Sequence, residues 1–427
     1  LYNTVDAVVV GQFVGTEAVA AVGGATSTLN NLLVGFFVGL SSGATVIISQ
    51  FYGARNIRES SDAVHTAIAM GLWGGAVMMV IGMIGAPFAL RAMGTPDNIM
   101  DYSLTYMIVY FIGMIPTLIY NVGSGILRAV GDSRRPMFFL IACCLVNVVL
   151  DLLFVAVFHW GVFGAALATC LAQFFSGILV ILSLMQSEDE RCRLQLKKIR
   201  IHPALLKSIV MIGIPAGLQS VMYSLSNIVI QTSVNSFGTT TIAAYTAYGK
   251  IDGIFWMIMS AFGVAVTTFV GQNFGAGKID RVHKSVRVSL GLSALTAVVM
   301  SAVLMLTGQW VYQLFTQDEQ VIRIGMQMLL YLAPYYVTYV CVEILSGAVR
   351  GTGDSLIPTM MTLLGICVLR VLWILIAVPM NHTIENVLFS YPLTWSITSV
   401  LFILYYLQGG WLKRQLRRRA VTVQKAQ

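Results

Sequence analysis

Long apolar segments are the feature that most restricts how this chain can fold. Twelve candidate helices are predicted, one ending near Phe13 and the others at about 24–49, 61–88, 99–127, 136–158, 161–186, 203–236, 243–270, 284–308, 321–346, 358–380 and 384–410. A helix that crosses a hydrocarbon core of about 30 Å needs roughly 20 mostly apolar residues. With 57% hydrophobic and 10% charged residues, we predict an all-α membrane protein of twelve transmembrane helices, the first of which continues before Leu1.

The positions of the basic residues predict the orientation of the chain. The net charge is +8, and the cations fall in alternate loops: Arg55 and Arg58; Arg128, Arg134 and Arg135; Arg191 to Lys207; Lys278, Arg281, Lys284 and Arg287; Arg350; and Lys413 to Arg419. Basic loops of membrane proteins face the cytoplasm. We therefore expect a multi-pass protein of the cell (inner) membrane with both termini cytoplasmic, and no nucleic-acid partner.

The sequence contains an internal repeat. GILRAVGDSRRP (125–136) returns as GAVRGTGDSLIP (347–358) at an offset of 222, and SQFYGA (49–54) returns as GQNFGA (271–276) at the same offset. An even number of spans per repeat gives both halves the same orientation, so we predict two six-helix bundles related by a pseudo-two-fold axis along the membrane normal. The predicted parts are an N-lobe at 1–186, a cytoplasmic linker at 187–202, a C-lobe at 203–412 and a basic tail at 413–427.

Two acids lie within apolar helices of the first half. Asp6 is in the first helix, and Asp151 stands one turn after Asn147 in the fifth; the repeat offset places none of the three opposite a polar residue. A carboxylate near the bilayer centre costs about 2.5–3.5 kcal/mol unless it is paired or neutralised. With Thr169 on the next helix, these oxygens predict a site for Na⁺ or a shared proton. The alternative is hydrogen bonding between helices without a bound cation.

The second half has its own ionisable residues inside predicted helices, namely Lys250, Asp252, Glu343 and Arg370. They are expected to be buried, and either to form internal ion pairs or to line a substrate path. The six cysteines show no CxxC spacing, and no GxxxxGK[ST] phosphate loop is present. The sequence therefore predicts neither a zinc site nor an ATPase, and no cofactor beyond a coupling ion.

Several motifs, in this order and partly duplicated, resemble the multidrug and toxic compound extrusion (MATE) transporters: NTVDAVVVGQFVG (3–15), SQFYGARN (49–56), ILRAVGDSRRP (126–136), NVVLD (147–151), GQNFGAGK (271–278) and VRGTGDSLIP (349–358). The resemblance implies two lobes around a V-shaped cavity. It implies a secondary antiporter that exports organic, often cationic compounds in exchange for H⁺ or Na⁺ by alternating access. It also implies that the amino-terminal lobe binds the cation through Asp6, Asn147, Asp151 and Thr169.

One departure from the family pattern concerns the second half. Where the NorM-like branch has acids on its seventh and tenth helices, this chain has Tyr223 and Tyr339, with Glu343 one turn further on. The chain thus looks closer to the DinF-like branch, and these tyrosines join the candidate substrate path. The alternative function is a flippase for lipid-linked intermediates. A membrane enzyme is disfavoured because no nucleophile or metal constellation is visible. Small organic substrates and lipids are the expected partners of a monomer.

Overall fold

The computed structural model describes residues 2–417, and over that range the chain is helical without a β-strand. The helices are α1 (Tyr2–Phe13), α2 (Thr16–Gly53), α3 (Ile57–Ala92), α4 (Asp97–Ile112 and Met114–Ala129), α5 (Arg134–Val157), α6 (Gly161–Met185), α7 (Pro203–Asn235), α8 (Thr239–Gly275), α9 (Ile279–Gln313), α10 (Glu319–Gly351), α11 (Leu356–Met380) and α12 (Ile384–Leu407). Ten of these are long and apolar enough to cross a membrane, and the bent pair α4 makes eleven. With the shorter α1 they account for the twelve predicted spans, which confirms the all-α membrane fold. The end of the predicted tail, 418–427, lies outside the described residues.

Two helices are broken at equivalent places in the repeat. The halves of α4 meet at Gly113 with a bend of 49°, and α10 contains a short 3₁₀ turn at Ala333–Tyr335. Pro116 follows the first break and Pro334 lies within the second. A proline nitrogen cannot donate to the carbonyl four residues earlier, which weakens the helix there. In α4 that carbonyl belongs to Ile112, directly before the bend. In contrast, α7 continues as one helix through Pro215.

The duplicated GDS segments form tight turns. Gly131 and Gly353 have φ angles of 96° and 97°, values that glycine adopts without the steric penalty of a side chain. In the first copy, Asp132 Oδ1 accepts hydrogen bonds of 3.1 Å from the backbone N–H groups of Arg134 and Arg135. Asp132 thereby satisfies donors at the start of α5 that have no partner within the helix.

The chain forms two compact units, Leu1–Gly217 and Leu218–Gln427. The division falls inside α7 because the first half of that helix packs closely on α2. A Cβ atom on Gly43 of α2 would run into the carbonyl oxygen of Ile209, so glycine is required for this approach of the two backbones. Compactness thus assigns the linker 187–202 to the first unit, and the lobe boundaries drawn from the repeat stay a prediction.

Candidate functional site

The centre of the first unit holds a buried carboxylate bound by three helices. Asp6 of α1 is fully buried, and its Oδ2 accepts hydrogen bonds from Tyr106 Oη of α4 at 2.8 Å and from Thr169 Oγ1 of α6 at 2.9 Å. Asn147 of α5 donates through Nδ2 to Asp6 Oδ1 at 3.5 Å and to Thr169 Oγ1 at 3.2 Å. Hydrogen bonds from neutral donors stabilise a buried carboxylate, but they leave its charge in place.

Asp151 is the second acid of this cluster and has very different surroundings. It is fully buried and lies beside the Asp6 carboxyl group. Neither of its oxygens receives a hydrogen bond from a donor among the described residues, and the same holds for Asn147 Oδ1. Among the described side chains, no Lys, Arg or His forms an ion pair with Asp6 or Asp151. The cluster therefore contains three buried acceptor oxygens that receive no hydrogen bond from the described part of the chain.

The geometry of α5 explains how these oxygens converge. Asn147 and Asp151 are four residues apart, so they lie on one face of the helix, as predicted. The regular helix ends at Asp151 and continues as a π-helical turn, Leu152–Val157. Such turns are rare and occur frequently at functional sites. The structure thus brings together all four residues of the predicted cation cluster, Asp6, Asn147, Asp151 and Thr169.

Tyr106 belongs to this cluster but was not predicted from the sequence. It is fully buried and stacks on Tyr110 with ring centroids 6.3 Å apart. In the sequence it stands in the run LTYMIVYFI, where a tyrosine indicates nothing beyond core packing. Its hydroxyl gains a role only because α1 places a carboxylate opposite it.

The second unit contains a different acid, whose oxygens are all engaged. Asp252 of α8 accepts hydrogen bonds from Tyr336 Oη at 2.7 Å, Tyr248 Oη at 3.2 Å and Trp256 Nε1 at 2.6 Å. Phe255 stacks on Tyr336 with centroids 4.0 Å apart. Asp252 is thus fixed in an aromatic environment by three neutral donors.

Arg370 of α11 lies in the same unit and is buried, as expected. Its guanidinium group stands over the ring of Tyr391 at 4.2 Å and donates to Thr394 Oγ1 at 3.0 Å. Cation–π contacts of this kind are worth about 0.5–2 kcal/mol. None of the described carboxylates forms a direct ion pair with it.

The remaining candidates of the substrate path form a second polar chain. Tyr339 Oη donates to Glu343 Oε2 at 3.1 Å and lies 3.4 Å from Tyr223 Oη. Lys250 is separate from them: its side chain is exposed, so the expectation that it is buried is wrong. Lys250 and Asp252 are two residues apart and point to different sides of α8, and Asp252 meets α10 through its bond to Tyr336. Whether any of these residues contacts substrate stays a prediction.

The described residues contain no group of three or more His, Cys, Asp or Glu side chains that could hold a metal ion. The first-unit cluster is instead built from carboxylate, amide and hydroxyl oxygens, the ligands that suit Na⁺, and two adjacent carboxylates can also share a proton. Its three acceptor oxygens without donors fit either cation.

Comparison with known proteins identifies the family. The family model described as MatE matches residues 1–153 and 215–376, well over half of the chain. The chain belongs to the MATE family. A MATE relative of Bacillus subtilis (strain 168), named probable multidrug resistance protein YoeA, is 29% identical over 422 residues, covering 96% of this chain and 89% of its own. Probable multidrug resistance protein YpnP of the same organism is 28% identical, covering 86% and 82%.

Solved MATE structures share the fold. A crystal structure of MATE in the bent conformation superposes with a TM-score of 0.89 at 21% identity, covering 97% of this chain and 93% of that one. An outward-facing MATE transporter of the MOP superfamily gives a TM-score of 0.88 at 21% identity, covering 98% and 92%. At these identities the likeness establishes a MATE architecture and no residue roles.

Proposed function

We propose that this protein is a secondary antiporter that exports organic, often cationic compounds in exchange for H⁺ or Na⁺. The observation that carries the proposal is the pair of buried carboxylates, Asp6 and Asp151, in which neither oxygen of Asp151 nor the adjacent Asn147 Oδ1 receives a hydrogen bond from the described residues. Two adjacent negative charges repel strongly in a medium of low dielectric constant. A site of this kind is stable when a proton or a metal cation lies between the carboxylates.

A cation that binds here can drive transport only through a difference in affinity between two conformations. The cluster is suited to that role because it joins α1, α4, α5 and α6 through single side chains. Movement of α1 would separate Asp6 from Asp151 and weaken the binding of the shared cation. In the reverse direction, binding of the cation would favour the packing in which the four helices meet. The bend in α4 provides a position where such a movement can occur.

The substrate class rests on two supports. The relatives named above carry the description multidrug resistance protein, and the second unit has a buried aromatic cluster with charges of both signs at Asp252 and Arg370. Flat aromatic walls accept many organic cations, since they combine apolar area with cation–π attraction. We also propose a monomer of the inner membrane with cytoplasmic termini, without enzymatic activity and without a cofactor beyond the coupling ion.

The test is transport in proteoliposomes with a pH gradient and a Na⁺ gradient imposed separately. The wild-type protein should accumulate a cationic dye against its gradient under one of the two driving forces. Asp6→Asn and Asp151→Asn should each abolish that accumulation, because an amide neither binds a proton in this range nor carries charge. Asp101→Asn, which changes an exposed acid of α4, is the matched control and should transport normally.

Full coupling in either Asp6→Asn or Asp151→Asn would refute the proposed cation site. Transport of a fluorescent lipid-linked sugar, with no movement of dyes under either gradient, would instead favour the flippase alternative.

A further inference from the structure

The segment that joins α6 to α7 is held against α3 by side chains that bond to its backbone. Ser60 Oγ donates to the carbonyl oxygen of Arg191 at 3.0 Å. Further along, Thr66 Oγ1 accepts from the backbone N–H of His202 at 3.3 Å. Between these points Leu194 is buried in the core of the first unit. The segment 187–202 is therefore docked along one helix over most of its length.

His65 of α3 lies at the centre of this contact and is 1% exposed. Its Nδ1 is 2.7 Å from the carbonyl oxygen of Ser61, and its Nε2 is 3.0 Å from the backbone nitrogen of Gln195. A carbonyl oxygen can only accept, so Nδ1 carries the hydrogen. A backbone N–H can only donate, so Nε2 presents its lone pair. The docked segment thus requires neutral imidazole in the Nδ1–H tautomer.

Several charged groups in and beside the segment form ion pairs with one another. Asp62 of α3 lies 3.4 Å from His202 Nε2 and 4.0 Å from Arg200 Nη2, and Arg191 pairs with Asp189 at 2.7 Å. Both nitrogens of the His65 ring already face backbone groups. A second proton on the ring would therefore point at the Gln195 N–H and find no acceptor there.

We propose that His65 makes the contact between α3 and segment 187–202 a pH-sensitive latch. At neutral pH the unprotonated Nε2 accepts from Gln195 and the latch is closed. When the ring gains a proton, two N–H groups oppose each other across the former hydrogen bond, and the segment leaves α3. Under the proposed antiport, with segment 187–202 on the predicted cytoplasmic side, acidification of the cytoplasm would loosen the connection between α6 and α7.

The direction of the pH effect follows from proton counting. The closed latch holds one proton fewer than the open latch, so closure is complete at higher pH and is lost as the pH falls. Because opening takes up one proton, the ratio of open to closed latch should rise by up to about tenfold for each pH unit of acidification.

Amide hydrogen exchange of the full chain measures the latch directly. The exchange rate is followed in peptides within 187–202 and divided by the intrinsic rate at each pH. The wild-type protein should lose protection as the pH is lowered from 8 to 5.5, by up to about tenfold per pH unit. His65→Gln places an acceptor oxygen near the position of Nε2 without a titrating group, so its protection should not depend on pH. His382→Gln, which changes an exposed histidine of the other unit, should behave as the wild type.

A wild-type segment with equal protection from pH 8 to 5.5 would overturn the proposal. His202→Gln gives an independent check if His65→Gln fails to dock at any pH. The pH dependence should survive in His202→Gln, because His65 is intact there, and its disappearance would assign the titration to His202 instead.

Discussion

Replacement of Asp151 by Asn tests whether charge repulsion dominates the buried cluster. The wild-type cluster places two carboxylates side by side, and Asp151 receives no hydrogen bond from the described donors. Two unit charges about 4 Å apart at an effective dielectric constant near 20 repel by about 4 kcal/mol. Asp151→Asn removes this term, so without Na⁺ and at alkaline pH the variant should be more stable than the wild type by up to about 4 kcal/mol.

A bound cation should offset the stability difference between the wild type and Asp151→Asn. Na⁺ at about one hundred times its dissociation constant adds about 2.7 kcal/mol to the free energy of unfolding of the protein that binds it. Protonation of the carboxylate pair also stabilises the wild type. The wild-type melting temperature should therefore rise when Na⁺ is added or the pH is lowered. The melting temperature of Asp151→Asn should stay constant under the same changes.

The assay is thermal unfolding of the purified protein, followed by intrinsic fluorescence at a series of Na⁺ concentrations and pH values. Asp101→Asn controls for the general effect of removing a carboxylate, because that residue is exposed, and it should follow the wild type. If Asp151→Asn keeps the wild-type response to both cations, the carboxylate pair is not where they bind.

Further predictions concern the site, the packing and the linker. Tyr106→Phe removes the 2.8 Å hydrogen bond to Asp6, and since bonds to charged groups are worth about 1.5–3 kcal/mol, it should lower the melting temperature at alkaline pH without Na⁺. Gly43→Ala forces a Cβ into backbone of α7 and should reduce the folded yield, whereas Gly291→Ala, which meets nothing within 4 Å, should be neutral or stabilising by up to about 1 kcal/mol. Hydrogen bonds from Arg191 hold the pKa of Asp189 below its usual range, so this contact should persist above about pH 4 and open as the pH falls further. Amide exchange at positions 189–193 would detect the opening in His65→Gln, in which the segment should stay docked over this pH range.

The sequence was sufficient to predict the helices and the grouping of Asp6, Asn147, Asp151 and Thr169, and the reason is the same in both cases. Apolar length defines a span, and an acid inside such a span is costly enough to indicate a partner. Asn147 and Asp151 also share a helix face through their spacing alone. The arrangement around Asp6 needed only that α1, α5 and α6 pack together, which the repeat and the family resemblance both implied.

Other features depend on packing that the sequence does not encode locally. The hydroxyl of Tyr106 could not be distinguished from an ordinary core aromatic without the position of α1. The exposure of Lys250 depends on which side of α8 meets α10, and a helix that is apolar all round carries no such signal. The position of Pro116 does not by itself locate the bend in α4, which lies at Gly113, since the carbonyl released by a proline is one turn earlier.

The internal repeat separates what the scaffold needs from what one unit does alone. The break in α4 and α10 and the GDS turns occur in both halves, so they serve the fold. At the position equivalent to Asp252, which is half-buried, the first half has the buried Asn30, so both halves keep a polar group there. Yet Asp252 receives three hydrogen bonds from neutral donors, whereas Asp151 receives none from the described residues. An acid that is already satisfied gains little from a cation, and an acid facing another acid gains much. This difference, rather than the number of acids in each half, is the reason to place cation coupling in the first unit.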